Sequence, residues 1–357
     1  MLNTLMIRSK MRDYALESIT DFSKKIKDLT EKVSFFIVDT HVYKIYRDTI
    51  DTCVPKDRLC LLEATEHHKT LEGSGALIKQ LIDKGIRKNN TLVAIGGGII
   101  QDLTAFVGSM LFRGIEWIFI PTTLLAQADS CIGGKTSINF DSYKNVLGNF
   151  YPPSRILIDI HFLESLSEED IKSGIGEMLH FYFIAGSARA AEIAQEYEKL
   201  FQERSRLQKY IMSSLEIKKG VIERDEFDRG IRNLFNYGHT FGHAIESITD
   251  YAIPHGQAVT VGMDIANFIS RQCGMLDQSA FDKMHDILRK NMPAFEITAD
   301  NWPKYKDALS KDKKNVNDDL TCILTEGPGR MKKVQIPLDE QLKNQILSCF
   351  EYRTVKV

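Results

Sequence analysis

The six cysteines, at 53, 60, 131, 273, 322 and 349, never form a C-x-x-C pair. A thiolate zinc site and a dense disulfide framework are therefore not indicated. No apolar run approaches the ~18 residues of a membrane span, and the N-terminal MLNTLMIRSKMR lacks the charged-then-apolar order of a secretory leader. An excess of one charge is missing too. Lys+Arg number 46 against 48 Asp+Glu, so no global field draws the chain to nucleic acid or to an anionic membrane. Any anion site must be local. There is no internal repeat and no low-complexity tract. The expectation is a cytoplasmic, enzyme-like chain, and 357 residues at 43% hydrophobic suit two ordinary domains.

Four β-rich runs punctuate the first part: VSFFIV at 33, TLVAI at 91, WIFIPT at 117 and RILIDI at 155. Separated by amphipathic stretches, they predict buried strands in an α/β layer. At Ser167 the texture changes. SEED supplies an N-cap with an acidic residue three positions on, and most of the remaining chain has helical period, LTCILT at 320 being the clearest β-rich exception. The expected division is residues 1–165, α/β, and 166–357, mainly α-helical.

TLVAIGGGIIQDLTAF reads as a strand, a glycine turn and a helix carrying Asp102 in its first turn. Gly97 and Gly98 let backbone N–H groups approach a pyrophosphate at a helix N-terminus; a plain tight turn is the alternative. Asp39 closes the VSFFIVD run, where a carboxylate can accept from a ribose hydroxyl. PTTLLAQADS ends another strand on Thr122 and Thr123, with Asp129 seven residues after Thr122.

His239 and His243 in NYGHTFGHAIES stand four apart on a helix face, and His255 opens the next helix. Glu177 lies among apolar neighbours in IKSGIGEMLHFY, with His180 three residues on. A buried carboxylate needs a partner, which is either a metal or a cationic side chain. Arg113, Lys135, Lys144, Lys218, Arg232 and the KDKK run at 311–314 are the cations without an evident surface role.

In order, GGGIIQDL, FRG, PTTLLAQADSCIGGKTSIN, GEM, RNLFNYGHTFGHAIE and HGQAV resemble the dehydroquinate synthase family of sugar phosphate cyclases over nearly the whole chain. The resemblance implies an N-terminal Rossmann-like NAD domain, a C-terminal helical metal domain and an active site between them. It implies a divalent metal, Zn2+ or Co2+, on Glu177, His239 and His255, with His243 facing the substrate. NAD contacts map to Asp39, Glu66, Lys69, Gly97, Gly98, Asp102, Thr122, Thr123, Lys144 and the FLES stretch, Phe162 to Ser165. Lys135, Asn145, Asn236, His243 and a lysine of KDKK, Lys313 or Lys314, map to the substrate phosphate. Asp129 falls among the catalytic positions, and Arg113 would act from a second subunit of a homodimer. Lys218 and Arg232 match residues that grip a substrate carboxylate.

The implied substrate is a small phosphorylated seven-carbon keto acid, cyclised with loss of phosphate in the shikimate route. Cyclases acting on sedoheptulose 7-phosphate or glucose 6-phosphate, and a metal-dependent polyol dehydrogenase, are the alternatives. The chain departs from the family pattern at Gln101 and Tyr143, where glycines are usual, at Gln257 for a glutamate, and at His180 for a lysine.

Overall fold

The computed structural model describes residues 4–141, 143–312, 315 and 319–355. Two compact units emerge. One runs to Ser167 and also takes in Lys219–Phe227; the other holds Glu168–Lys218 and the chain from Asp228.

The first unit is built on a seven-stranded sheet. Its strands are β1 (Thr4–Ile7), β2 (Tyr14–Ser18), β3 (Ser34–Asp39), β4 (Leu59–Leu62), β5 (Thr91–Gly96), β6 (Trp117–Pro121) and β9 (Arg155–Ile158), in the order β1-β2-β9-β6-β5-β3-β4. A separate hairpin pairs β7 (Ile138–Phe140) with β8 (Tyr143–Leu147). Only β1 runs antiparallel within the sheet. The four runs read as buried strands are β3, β5, β6 and β9, and their continuous apolar character is that of a parallel sheet covered on both faces. Phe36, Val38, Val93, Ile95, Ile120 and Leu157 fill the core on one side of it.

The mainly helical unit carries one hairpin, β10 (Asp319–Thr325) with β11 (Met331–Pro337). β10 contains the LTCILT run, whereas β11 escapes notice because its exposed face holds lysine and glutamine. Six helices position the residues of interest: α1 (Gly98–Met110) in the first unit, and α2 (Glu168–Ala185), α3 (His239–Ile248), α4 (His255–Gln272), α5 (Gln278–Leu288) and α6 (Glu340–Val355) in the second. α4 is buried from Gly256 to Ser270, as the central helix of a bundle is. Among the described residues no helix is long and apolar enough to cross a membrane.

Lys219–Phe227 joins the first unit although it lies far along the chain. Glu223 accepts from Arg8 N at 2.8 Å, Glu226 accepts from Lys10 N at 2.7 Å, and the Phe227 ring meets Phe150 edge-on at 5.0 Å.

Candidate active site

Within the parallel sheet the chain order reverses at β3, which has β4 on one side and β5 on the other. Carboxyl ends of strands at such a switch are where open α/β sheets take ligands. Asp39 ends β3, and Gly97–Gly98 follow β5, its neighbour. Asp39 Oδ1 accepts from His41 N at 2.8 Å; burial pushes the carboxyl up and that bond opposes the shift. A Cβ on Gly97 would lie 3.1 Å from Thr123 Cγ2, so a side chain there would crowd the turn. Thr122 N donates to Gly96 O at 3.0 Å and ties the ends of β5 and β6 together.

Asp102 is the fifth residue of α1, not part of its first turn, because the helix starts at Gly98. Its Oδ2 is 2.7 Å from Lys69 Nζ. Burial raises the Asp102 carboxyl and the lysine counters it. Lys144 Nζ sits 3.7 Å from Glu66 Oε2, which also accepts from Asn139 Nδ2 at 2.8 Å. The Phe162 ring is in the core: it is 2% exposed and packs edge-on against Phe22 and Tyr46 at 4.8 and 4.9 Å. That core position leaves only its backbone for a ligand, while Ser165 Oγ donates to Phe162 O at 3.0 Å. Lys135 and Arg113 are exposed, and Asp129 lies in a π-turn, Ala126–Ser130, a local geometry frequent at functional sites. Gln101 reaches that turn, donating to Ser130 O and accepting from Ser130 Oγ, both at 2.7 Å.

In the helical unit, glycines allow α2, α3 and α4 to meet backbone to backbone. A Cβ on Gly176 would stand 2.0 Å from Gly256 O, one on Gly256 1.7 Å from Ser173 O, and one on Gly242 2.9 Å from Val259 Cα. Gly238 precedes α3 at φ 79, a left-handed turn that sends His239 into the cluster. Donors from three helices consequently converge. Glu177 Oε1, 2% exposed by residue, has His239 Nε2 at 3.5 Å and His255 Nε2 at 3.3 Å.

These three residues fit a divalent cation. Neighbouring donors in a tetrahedral shell of ~2.0–2.1 Å bonds are separated by roughly 3.3–3.4 Å. Glu177 Oε1 is buried with no hydrogen bond among the described residues, an oxygen that a cation would satisfy. His239 Nδ1 is 3.2 Å from Tyr237 O, and His255 Nδ1 is 3.0 Å from Glu246 Oε2. Each contact suits a tautomer with the proton on Nδ1 and a lone pair on Nε2. Burial opposes charge on Glu177, but the surrounding histidines hold it well below the usual carboxylate range. Burial likewise opposes protonation of His255, and Glu246 and Glu177 reverse that, raising it. His243 is exposed, with one ligating atom within 4.8 Å of those of His239 and His255. An all-histidine set therefore overlaps the tighter one.

Glu246 went unnoticed in the sequence. The available signal was its spacing, seven residues after His239 and three after His243 on one helix face.

Lys218 and Arg232 are 7% and 5% exposed, so two cations are buried in this unit. Lys218 Nζ lies 5.9 Å from the Phe181 ring centroid, which meets Phe235 at 5.1 Å. Asn236 Nδ2 donates to Asn233 O at 2.9 Å. His180, 1% exposed, has Nδ1 3.7 Å from Glu177 Oε2 and its ring 5.0 Å from that of His239. Lys313 and Lys314 lie outside the described residues.

Comparison with known proteins identifies the family. The family described as 3-dehydroquinate synthase N-terminal matches residues 59–173, and 3-dehydroquinate synthase C-terminal matches 174–315. A 3-dehydroquinate synthase of Alkaliphilus metalliredigens (strain QYMF) is 35% identical over 309 residues, 85% of this chain and 86% of that protein. In fold, the chain resembles 2-epi-5-epi-valiolone synthase from Streptomyces hygroscopicus subsp. jinggangensis 5008, solved with NAD+ and Zn2+, with TM-score 0.84, 21% identity and 97% and 99% coverage of the two chains. It also resembles 2-deoxy-scyllo-inosose synthase, solved with carbaglucose-6-phosphate, NAD+ and Co2+, with TM-score 0.81, 23% identity and 96% and 99% coverage. The chain is thus an enzyme of the sugar phosphate cyclase class. It belongs to the 3-dehydroquinate synthase family.

Proposed function

We propose that the protein is a 3-dehydroquinate synthase, cyclising 3-deoxy-D-arabino-heptulosonate 7-phosphate with release of phosphate. The observation that carries the choice of substrate is the burial of both Lys218 and Arg232 in the helical unit. A guanidinium suits a carboxylate bidentately, and an ammonium adds a charge-assisted hydrogen bond to the same group. The named relative supports the same reading.

When bound, NAD supplies reversible hydride transfer and a divalent cation polarises adjacent hydroxyls. In this reading Glu177, His239 and His255 hold the cation, and Asp39, Gly97, Gly98, Thr122 and Thr123 line the cofactor edge. Lys135, Asn145, Asn236 and His243 bind and orient the phosphorylated end, while Lys218 and Arg232 fix the carboxylate.

One observation favours a second reading. His180, buried beside Glu177, stands where the family has a lysine, and imidazole is shorter and changes charge near neutrality. A cyclase for a substrate without a carboxylate is the corresponding alternative. Phosphate release measured side by side from the keto acid, sedoheptulose 7-phosphate and glucose 6-phosphate, with catalytic NAD and zinc or cobalt, separates them. The keto acid is expected to be used preferentially, and Arg232→Ala to lower its kcat/KM at least about tenfold, the loss of one charge-assisted contact. Faster turnover of a carboxylate-free sugar, with Arg232→Ala nearly silent, would select the alternative. Stoichiometric NADH accumulation with a simple polyol would instead indicate a dehydrogenase.

A further inference from the structure

Lys69, one of the residues mapped to the cofactor, is only 5% exposed. Its ammonium is 2.7 Å from Asp102 Oδ2 and donates at 2.8 Å to Asn145 Oδ1. The same amide oxygen accepts from Ser137 Oγ at 2.9 Å. Asp102, Lys69, Asn145 and Ser137 therefore form a chain of contacts linking α1 to the β7–β8 hairpin. The Asn145 backbone is held as well: its N–H donates to Asn139 Oδ1 at 3.0 Å, and its φ is 56. Asparagine is among the few non-glycine residues that tolerate this region.

A carboxamide oxygen has two lone pairs, and here both are engaged. Every further hydrogen bond of the Asn145 side chain is accordingly donated by Nδ2. The Lys69 contact also settles which amide atom is oxygen, since an ammonium cannot bond the NH2 group.

We propose that Lys69 is a positioning residue for the phosphorylated substrate: it locks Asn145 as a pure hydrogen-bond donor for an anionic oxygen and ties that donor to the glycine-turn helix through Asp102. Two of its three ammonium protons are thereby committed inside the protein. Its effect on the substrate passes through Asn145. This rests on the proposed phosphate-binding role of Asn145.

The test compares Lys69→Met, Ser137→Ala, Asn145→Ala and the double variant Lys69→Met/Asn145→Ala. Ser137→Ala removes the second donor to the amide without leaving a buried charge unpaired, and keeps the test open if Lys69→Met does not fold. NAD dissociation is followed by protein fluorescence without substrate. Binding of glycerol 3-phosphate, a non-reacting phosphomonoester, is followed by calorimetry, and kcat and KM are measured with the keto acid. Lys69→Met should raise KM and weaken phosphomonoester binding about tenfold, and Ser137→Ala several-fold, the latter with NAD affinity within about twofold of wild type. The double variant should be no worse than Asn145→Ala, because the two residues act as one unit. Tenfold weaker NAD binding with KM unchanged, or full additivity with Asn145→Ala, would overturn the proposal. If the wild type binds the phosphomonoester and the Lys69 and Ser137 variants bind it equally well, the positioning role alone fails. If the wild type binds NAD but neither binds the phosphomonoester nor releases phosphate, the functional reading itself fails.

Discussion

Glu246 Oε2 lies 3.0 Å from His255 Nδ1, and His255 Nε2 in turn lies 3.3 Å from Glu177. The carboxylate orients the imidazole and raises the basicity of its outward nitrogen. Removing such an outer partner typically lowers metal affinity about 10–100-fold. Glu246→Ala is expected to show that loss, and Glu246→Gln a smaller one, in chelator competition with Zn2+ or Co2+. Unchanged affinity in Glu246→Ala would show that the contact does not support the ligand.

The tighter donor set predicts which histidines matter for metal. Glu177→Gln, His239→Ala and His255→Ala should each lose tight metal binding and turnover, whereas His243→Ala keeps the metal and loses turnover. Elemental analysis of the purified variants decides. Full occupancy in Glu177→Gln together with metal loss in His243→Ala would transfer the role to the all-histidine set.

The convergence of those donors depends on helix approach. Gly256→Ala inserts a Cβ 1.7 Å from Ser173 O, and overpacking of this kind costs ~1–3 kcal/mol or more. Metal content should fall together with the melting temperature. Gly75, in the helix Leu71–Asp83, has nothing within 4 Å of its would-be Cβ. Gly75→Ala should therefore raise stability by ~0.5–1 kcal/mol. Denaturant midpoints for the pair test both signs.

Acid sensitivity of the helical unit should centre on Asp264, which is fully buried on α4. Burial pushes its carboxyl up, but Arg353 on α6 and His285 on α5, each 2.9 Å away, hold it net below its ordinary range. A depressed folded pKa means stability present above the unfolded value and lost as pH falls through the folded one. Stability should accordingly decline below about pH 4. Asp264→Asn should flatten that acid limb while costing ~3–5 kcal/mol at neutral pH, because Arg353 loses its partner. An unaltered acid limb in the variant would place the sensitivity elsewhere.

Arg113 is exposed and held at φ 61 beside Phe112 at φ 50, two consecutive non-glycine residues in the left-handed region. In the reading as a homodimer with shared sites, Arg113 serves the neighbouring subunit. Mixing inactive Arg113→Ala and inactive Lys135→Ala proteins under subunit exchange should restore roughly a quarter of the sites if exchange is random and each site takes one residue from each subunit. Exchange without recovery of activity would count against that role.

Buried strands were legible because β3, β5, β6 and β9 are continuous apolar runs that can be satisfied only inside a covered sheet. β1, with alternating exposure over four residues, and β11, with Lys333 and Gln335 on its open face, are weaker signals. The start of α2 could be read from its acidic first turn. The end of the glycine turn was misjudged by one residue, because three successive glycines do not reveal which of them opens α1.

Residue types and local spacing determined that one part of this chain builds a parallel sheet with a glycine turn at a strand end, and that another carries histidines on one helix face. Both are short-range consequences of side-chain size and backbone period. Only the tertiary structure decided that Phe162 belongs to the core, that Lys69 bridges Asp102 and Asn145, that Glu246 stands behind His255, and that Lys219–Phe227 joins the first unit. Each of those pairings joins side chains on separate elements, and whether they meet depends on strand order and helix contact distance. No local pattern encodes those two quantities.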